Sequence, residues 1–173
     1  MAIPKRLLAL ARSGDANAQV KVVDLLMRSE THEAYRRAVP WLQRLAKTRD
    51  AWAEYHLGLI YDHGLGVHRN IRVARGWYEK SSASGYASAQ LNLGVLLANL
   101  PGAKRDLNRA IKLYRLAAAQ GRKKAAYNLG LYYARGRGVR RSPALARLWL
   151  SRAGLKNPAR AAERLAPNGR AHR

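Results

Sequence analysis

Apolar positions recur at helical spacing. Ala53, Leu57, Ile60 and Tyr61 stand at i, i+4, i+7 and i+8, which places them along one face of a helix. A second stripe follows at Val73, Ala74, Trp77, Tyr78 and Ser81. Between the two lies Gly64-Leu65-Gly66-Val67, where glycine supplies the positive φ that ends one helix and turns the chain. Asn70 then stands where a side-chain oxygen accepts from the first free amides of a helix. The pattern predicts a helical hairpin, with the small residues Ala53 and Gly58 where a partner helix approaches closely.

That hairpin repeats. Leu57-Gly58, Leu93-Gly94 and Leu129-Gly130 recur every 36 residues, as do Ala53, Ala89 and Ala125. The same spacing relates Ala38, Ala74, Ala110 and Ala146, the column Trp41, Trp77, Leu113 and Trp149, and the column Leu42, Tyr78, Tyr114 and Leu150. Helix starts are expected at Asn70, Asp106 and Ser142, the last followed by Pro143 at the first helical position. Helix pairs of this kind bury a continuous core only by stacking, so the expected fold is all-α: a right-handed α-solenoid of antiparallel helix pairs, a superhelix like that of tetratricopeptide repeats. The expected division is an N-terminal capping helix in 1–14, four pairs at 15–48, 49–84, 85–120 and 121–154, a C-terminal capping helix in 155–166 and a basic tail in 167–173. The first pair is degenerate, with Val22-Val23 for Leu-Gly and no glycine-rich turn between Leu26 and Tyr35. The third carries Asn99-Leu100-Pro101-Gly102 in place of Gly-x-Gly-Val.

The stretches Ala53 to Val67 and Ala125 to Val139, with Ala74 to Gly85 and Ala146 to Ala153, resemble the Sel-1-like repeat, a relative of the tetratricopeptide repeat. The resemblance covers about residues 15–154. It implies a non-catalytic protein-binding scaffold or adaptor, with small bacterial proteins of this kind serving in signalling, in secretion or as immunity proteins against a toxin. Exposed positions that are commonly acidic in the family are Arg or Lys here, so the family's partner preference does not carry over.

Charge adds the next constraint. The 173 residues hold 33 Lys and Arg against 10 Asp and Glu, a formal charge of +23. There is no cysteine, which excludes disulfides, thiolate metal sites and thiol nucleophiles. No apolar run reaches the roughly 18 residues of a membrane span. Leu7 to Ala11 is too short for the apolar region of a secretory signal, so a cytoplasmic location is expected.

Catalytic chemistry finds no constellation. Asp62 and Asp106 belong to different pairs, and Glu33 reads as an i, i+4 partner of Arg37. His56, His63 and His68 lack further ligands at helical spacing, and the glycine turns follow no strand, so no metal, cofactor or small-molecule substrate is expected. Trp41, Trp77 and Trp149 read as core knobs; Trp52 lies outside their register.

The binding reading has two parts. Tyr55, Leu91 and Tyr127 share one register and His56, Asn92 and Asn128 the next, offering apolar grip and hydrogen bonds to an extended segment in a concave groove. His68-Arg69, Lys104-Arg105 and Arg140-Arg141 form a basic edge at 36-residue spacing, placed before helix N-termini where the dipole disfavours cations. The expected partner is an acidic protein or peptide. The alternative is nucleic acid held by phosphate contacts, for which no reading motif is present.

Overall fold

The computed structural model describes residues 3–99 and 104–167, without the side chains of Lys104 and Arg105. Among the described residues there are ten helices and no strand: α1 (Lys5–Arg12), α2 (Ala16–Met27), α3 (His32–Ala46), α4 (Ala51–His63), α5 (Ile71–Ala83), α6 (Ala87–Asn99), α7 (Lys104–Ala119), α8 (Lys123–Arg135), α9 (Pro143–Arg152) and α10 (Pro158–Leu165). The fold class is an all-α solenoid of antiparallel helix pairs, and the chain forms two compact units, Met1–Ala89 and Gln90–Arg173.

In the first unit each of α1 to α4 packs on the helix that follows it. Asp15, Asp50 and Asn70 cap α2, α4 and α5, accepting from the amides of Ala18, Ala53 and Val73 at 2.6, 2.7 and 3.1 Å. Gly64, with φ +70°, closes α4 by donating to the Ile60 carbonyl. The first pair has no glycine at its turn, and Glu30 takes the left-handed conformation instead, at φ +51°. The core runs through Val22, Val23, Leu26, Leu42, Leu45, Leu57 and Ile60, each such side chain contributing about 1.5–3 kcal/mol by burial. Gly58 lies against the ring of Tyr78, where a Cβ would come within 2.5 Å of two ring carbons. The turn after α4 folds back on α3: the Gly66 amide donates to His32 Nδ1 at 3.2 Å, and a Cβ there would lie 2.6 Å from the Arg36 nitrogen.

The second unit repeats these devices. α8 packs on α7, α9 and α10, and α9 on α10. Gly94 lies under Tyr114 and Gly130 under Leu150, with a Cβ at 2.7 and 2.6 Å from the nearest side-chain atoms. Gly138 meets Leu107 and Ile111 of α7 as Gly66 meets α3. Ser142 accepts from the Leu145 amide at 3.3 Å, and α10 is tied to α8 where Arg135 Nε donates to the Leu165 carbonyl at 3.2 Å.

Four expectations change. Asp106 is no N-cap: α7 starts at Lys104, so Asp106 lies in its first turn, where a carboxylate still complements the helix dipole. Lys104 and Arg105 therefore belong to that turn and do not precede it. Glu33 pairs with Arg36 at 3.5 Å, one residue nearer than Arg37. Trp41, Trp77 and Trp149 are half-buried instead of enclosed. The next column, Leu42, Tyr78, Tyr114 and Leu150, is the buried one. An indole is large enough to line a helix and still reach water, and each is covered by a cation three residues on: Arg44, Lys80 and Arg152 lie 5.0, 4.3 and 4.9 Å from the ring centroids. The third pair lacks both partners of this contact, with Leu113 and an exposed Leu116 in their places.

Candidate partner-binding surface

In the second unit, Leu91 and Asn92 of α6 and Tyr127 and Asn128 of α8 line one cleft of ≈ 420 Å³. Helical spacing explains the meeting: adjacent residues on equivalent turns of two first-position helices face the same channel. The cleft also takes Val95 and Lys124, which sequence reasoning missed. Val95 stands four residues after Leu91, so its place on the same face was readable from the spacing. Tyr127, 40% exposed, borders a second cleft of ≈ 340 Å³ lined by Leu155, Asn157, Arg160, Arg164 and Leu165. These residues come from α10 and the turn before it, outside the repeat register, and no column pointed to them. Neither cleft is lined by a carboxylate.

In the first unit the register partners Tyr55 and His56 are built into packing. Tyr55 is half-buried, its ring 5.2, 6.1 and 5.1 Å from those of His56, Tyr78 and Tyr86. His56 also meets Trp52, itself half-buried, at 4.4 Å. Its Nδ1 is buried with no hydrogen-bond partner, and burial pulls the imidazole pKa down to about 4, with Asp50 pushing weakly the other way.

One residue before Tyr55, sequence reasoning passed over a second buried column. Gln19 donates through Nε2 to the Ala11 carbonyl at 3.0 Å, and Gln90 accepts from Gln120 Nε2 at 3.0 Å. The equivalent Glu54 is 3% exposed, and its Oε2 has no partner. Burial raises its pKa, partly offset by Lys80 and Arg49. A cleft of ≈ 520 Å³ lined by Lys47, Arg49, Glu54, Lys80 and Ser84 lies beside it, and Ser84 is the short counterpart of Gln120.

The basic edge divides. His68, Arg69, Arg140 and Arg141 are exposed, while the side chains of Lys104 and Arg105 lie outside the described residues. Arg69 Nε donates to the Asp62 carbonyl at 2.7 Å, in the last turn of α4. A cation just before one helix thus also follows the end of the previous one, where the dipole favours it, so this position is not the unfavourable one expected from the following helix alone. Arg140 and Arg141 line a further cleft of ≈ 650 Å³ with Arg115, Tyr133 and Ser142. The charge itself is uneven. Residues 90–173 hold 19 Lys and Arg against Asp106 and Glu163 alone, a net of +17, and residues 1–89 hold 14 against 8, a net of +6. Ion pairs among the described residues are Arg28–Asp24, Arg36–Glu33 and Arg75–Glu79, all in the first unit. No group of three or more His, Asp or Glu among the described residues is placed to hold a metal ion, and no described helix is long and apolar enough to cross a membrane.

The glycine-under-aromatic packing, the folded-back turns and the repeat register together define a class of short helical-repeat proteins, and comparison agrees. The model of the Sel1 repeat matches residues 53–86, 87–121 and 123–158, and the chain belongs to the Sel1 repeat family. Among solved structures it is similar to a protective antigen present in uropathogenic Escherichia coli strains and displaying an SLR fold, at 36% identity and a TM-score of 0.79, over 89% of this chain and 33% of that one. It is also similar to a Sel1 repeat protein from Oxalobacter formigenes, at 25% identity and a TM-score of 0.72, over 86% of this chain and 61% of that one. The chain thus spans a third and about three-fifths of the lengths of these two structures. No curated protein matches it. Sel1 repeat proteins generally serve as protein-interaction scaffolds and are typically non-catalytic.

Proposed function

We propose that this protein is an adaptor that holds an extended acidic segment of a protein partner across the two clefts flanking Tyr127. The observation that carries the reading is the composition of those clefts. An exposed ring stands between apolar floors from Leu91, Val95, Leu155 and Leu165, with Asn92, Asn128 and Asn157 as hydrogen-bonding groups and Lys124, Arg160 and Arg164 as the charges. Such a surface grips a chain that alternates apolar and acidic residues, and a preformed groove pays little ordering entropy. The arginine-rich half speeds encounter with an anionic partner. A bacterial regulatory or immunity-type role in the cytoplasm accords with this use of the fold.

The test is selection of binders from a random peptide library, followed by affinity measurement at physiological salt. Enrichment of acidic peptides with aliphatic anchors, and about tenfold or greater weakening by Tyr127→Ala with the helical spectrum intact, support the reading. Peptides without acidic enrichment, or unchanged affinity in the variant, overturn it. The net charge of residues 90–173 favours one competitor, nucleic acid. Binding of random duplex that persists at physiological salt and exceeds that of the selected peptides would put that reading first.

A further inference from the structure

Away from Tyr127, the second unit carries a cleft whose chemistry differs from that of the groove. Arg115 of α7, Arg140 and Arg141 of the turn before α9, and the N-cap Ser142 line it, with Tyr133 and Leu145 completing the wall. Three arginines line this space and no carboxylate does, although Arg141 also borders a neighbouring cleft that Glu163 lines, and the ion pairs of the described residues lie elsewhere. Like charges brought together in this way oppose one another unless an anion joins them. Arg115 is also positioned: its Nη2 donates to the hydroxyl of Tyr133, whose ring is buried. That bond turns a flexible cation into an oriented one and leaves its other N–H groups for a ligand. The register shows that this arrangement is particular to the second unit. The residue 36 positions before Arg115 is Glu79, which is paired with Arg75 at 3.1 Å.

We infer that this cleft is a binding site for a compact, doubly charged phosphate group, either free inorganic phosphate or the monoester of a phosphorylated side chain of the partner. Guanidinium groups offer paired donors that match the oxygens of such a group, and three of them match its charge better than that of a single carboxylate. A polynucleotide, with one charge per phosphate, needs a stripe of cations along its path; these three are gathered in one cleft. Ser142 already accepts from the Leu145 amide, so the helix end is occupied by its own cap and the arginines carry the attraction. The inference rests on the proposed preference for an anionic partner, extends it to the basic edge, and does not involve the Tyr127 clefts.

The experiment is a titration of the isotopically labelled full chain with inorganic phosphate at constant ionic strength, followed through the arginine Nε–H resonances, and repeated with a phosphoserine peptide and its unphosphorylated form. Saturable shifts confined to Arg115, Arg140 and Arg141 are expected. The double variant Arg140→Ser/Arg141→Ser should weaken phosphate binding at least about tenfold, and Tyr133→Phe, which keeps the ring in the core, about threefold. Tyr127→Ala should leave it unchanged, and Arg115→Gln should leave peptide binding at the groove unchanged, so either reading can fail alone. Preference for the phosphopeptide over inorganic phosphate identifies a modified partner as the source; equal affinity identifies the free anion. Shifts spread evenly over Arg147 and Arg152 without saturation, persistence of binding in the double variant, or stronger response to single-stranded DNA at equal phosphate concentration would overturn the inference.

Discussion

Glu54 occupies a place that glutamine holds in the registers on either side, and the difference is one of charge in a buried site. Folding raises its pKa from 4.5, so its favourable contribution is complete below 4.5 and is lost as pH rises through the higher folded value. Glu54→Gln should therefore stabilise the protein by about 1 kcal/mol at neutral pH. The gain should shrink toward zero on acidification, and urea melts at two pH values would show it. His56 has the opposite sign. Its pKa falls from 6.5 to about 4 on folding, so stability is complete above 6.5 and is lost as pH falls through that window, by up to about 3 kcal/mol. Asn stands 36 and 72 residues on, at Asn92 and Asn128. His56→Asn should flatten the acid limb of the stability profile; an unaltered limb would place the titrating group elsewhere. The sequence displayed both residues as members of columns, but their burial, which sets these pKa values, depends on which helices cover them.

At the scale of the helices, the decisive contact is a glycine on one helix admitting a large side chain from the next. Gly58 with Tyr78, Gly94 with Tyr114 and Gly130 with Leu150 are three versions of it, and in the first pair Val23 and Leu42 are both fully buried in the corresponding registers. Bulk is traded across the contact, more on one helix and less on the other. Gly58→Ala gains about 1 kcal/mol of helix propensity but overpacks the Tyr78 ring by about 1–3 kcal/mol, and should destabilise the fold overall. Combined with Tyr78→Leu, its cost should fall, giving a coupling of roughly 1 kcal/mol in a double-mutant cycle; strict additivity would show that the two side chains do not compete for space. This pairing was legible from the sequence because glycine and tyrosine keep separate columns at one spacing. The tryptophan column packs against the core as its register implies but is only half-buried, because periodicity places a residue on a face and is silent about how far the next helix extends over it. The cations that cover Trp41, Trp77 and Trp149 were visible at i+3 and identify that column as the rim of the buried face.

Over the whole chain, +23 charges repel one another with few ion pairs among the described residues to offset them. Screening should therefore raise the thermal midpoint by several °C between about 20 and about 300 mM NaCl, since the Debye length falls from about 20 Å to below 8 Å. A midpoint that is flat or falls with salt would mean that local pairing outweighs the net repulsion. Repeat spacing, helix faces, glycine turns and most caps follow from residue order alone, because each is a relation between neighbours a few positions apart or one repeat apart. So does the choice of Leu91, Asn92, Tyr127 and Asn128, which share two columns and share one cleft. Folding alone decided the rest. It closed α10 against Tyr127, turned Arg69 onto a helix end, oriented Arg115 through Tyr133, packed Tyr55 against the rings of Tyr78 and Tyr86, and enclosed His56 beside Trp52 and Tyr55 of its own helix. Those outcomes depend on which surfaces meet across long separations, and a side chain's charge state and accessibility are properties of that meeting.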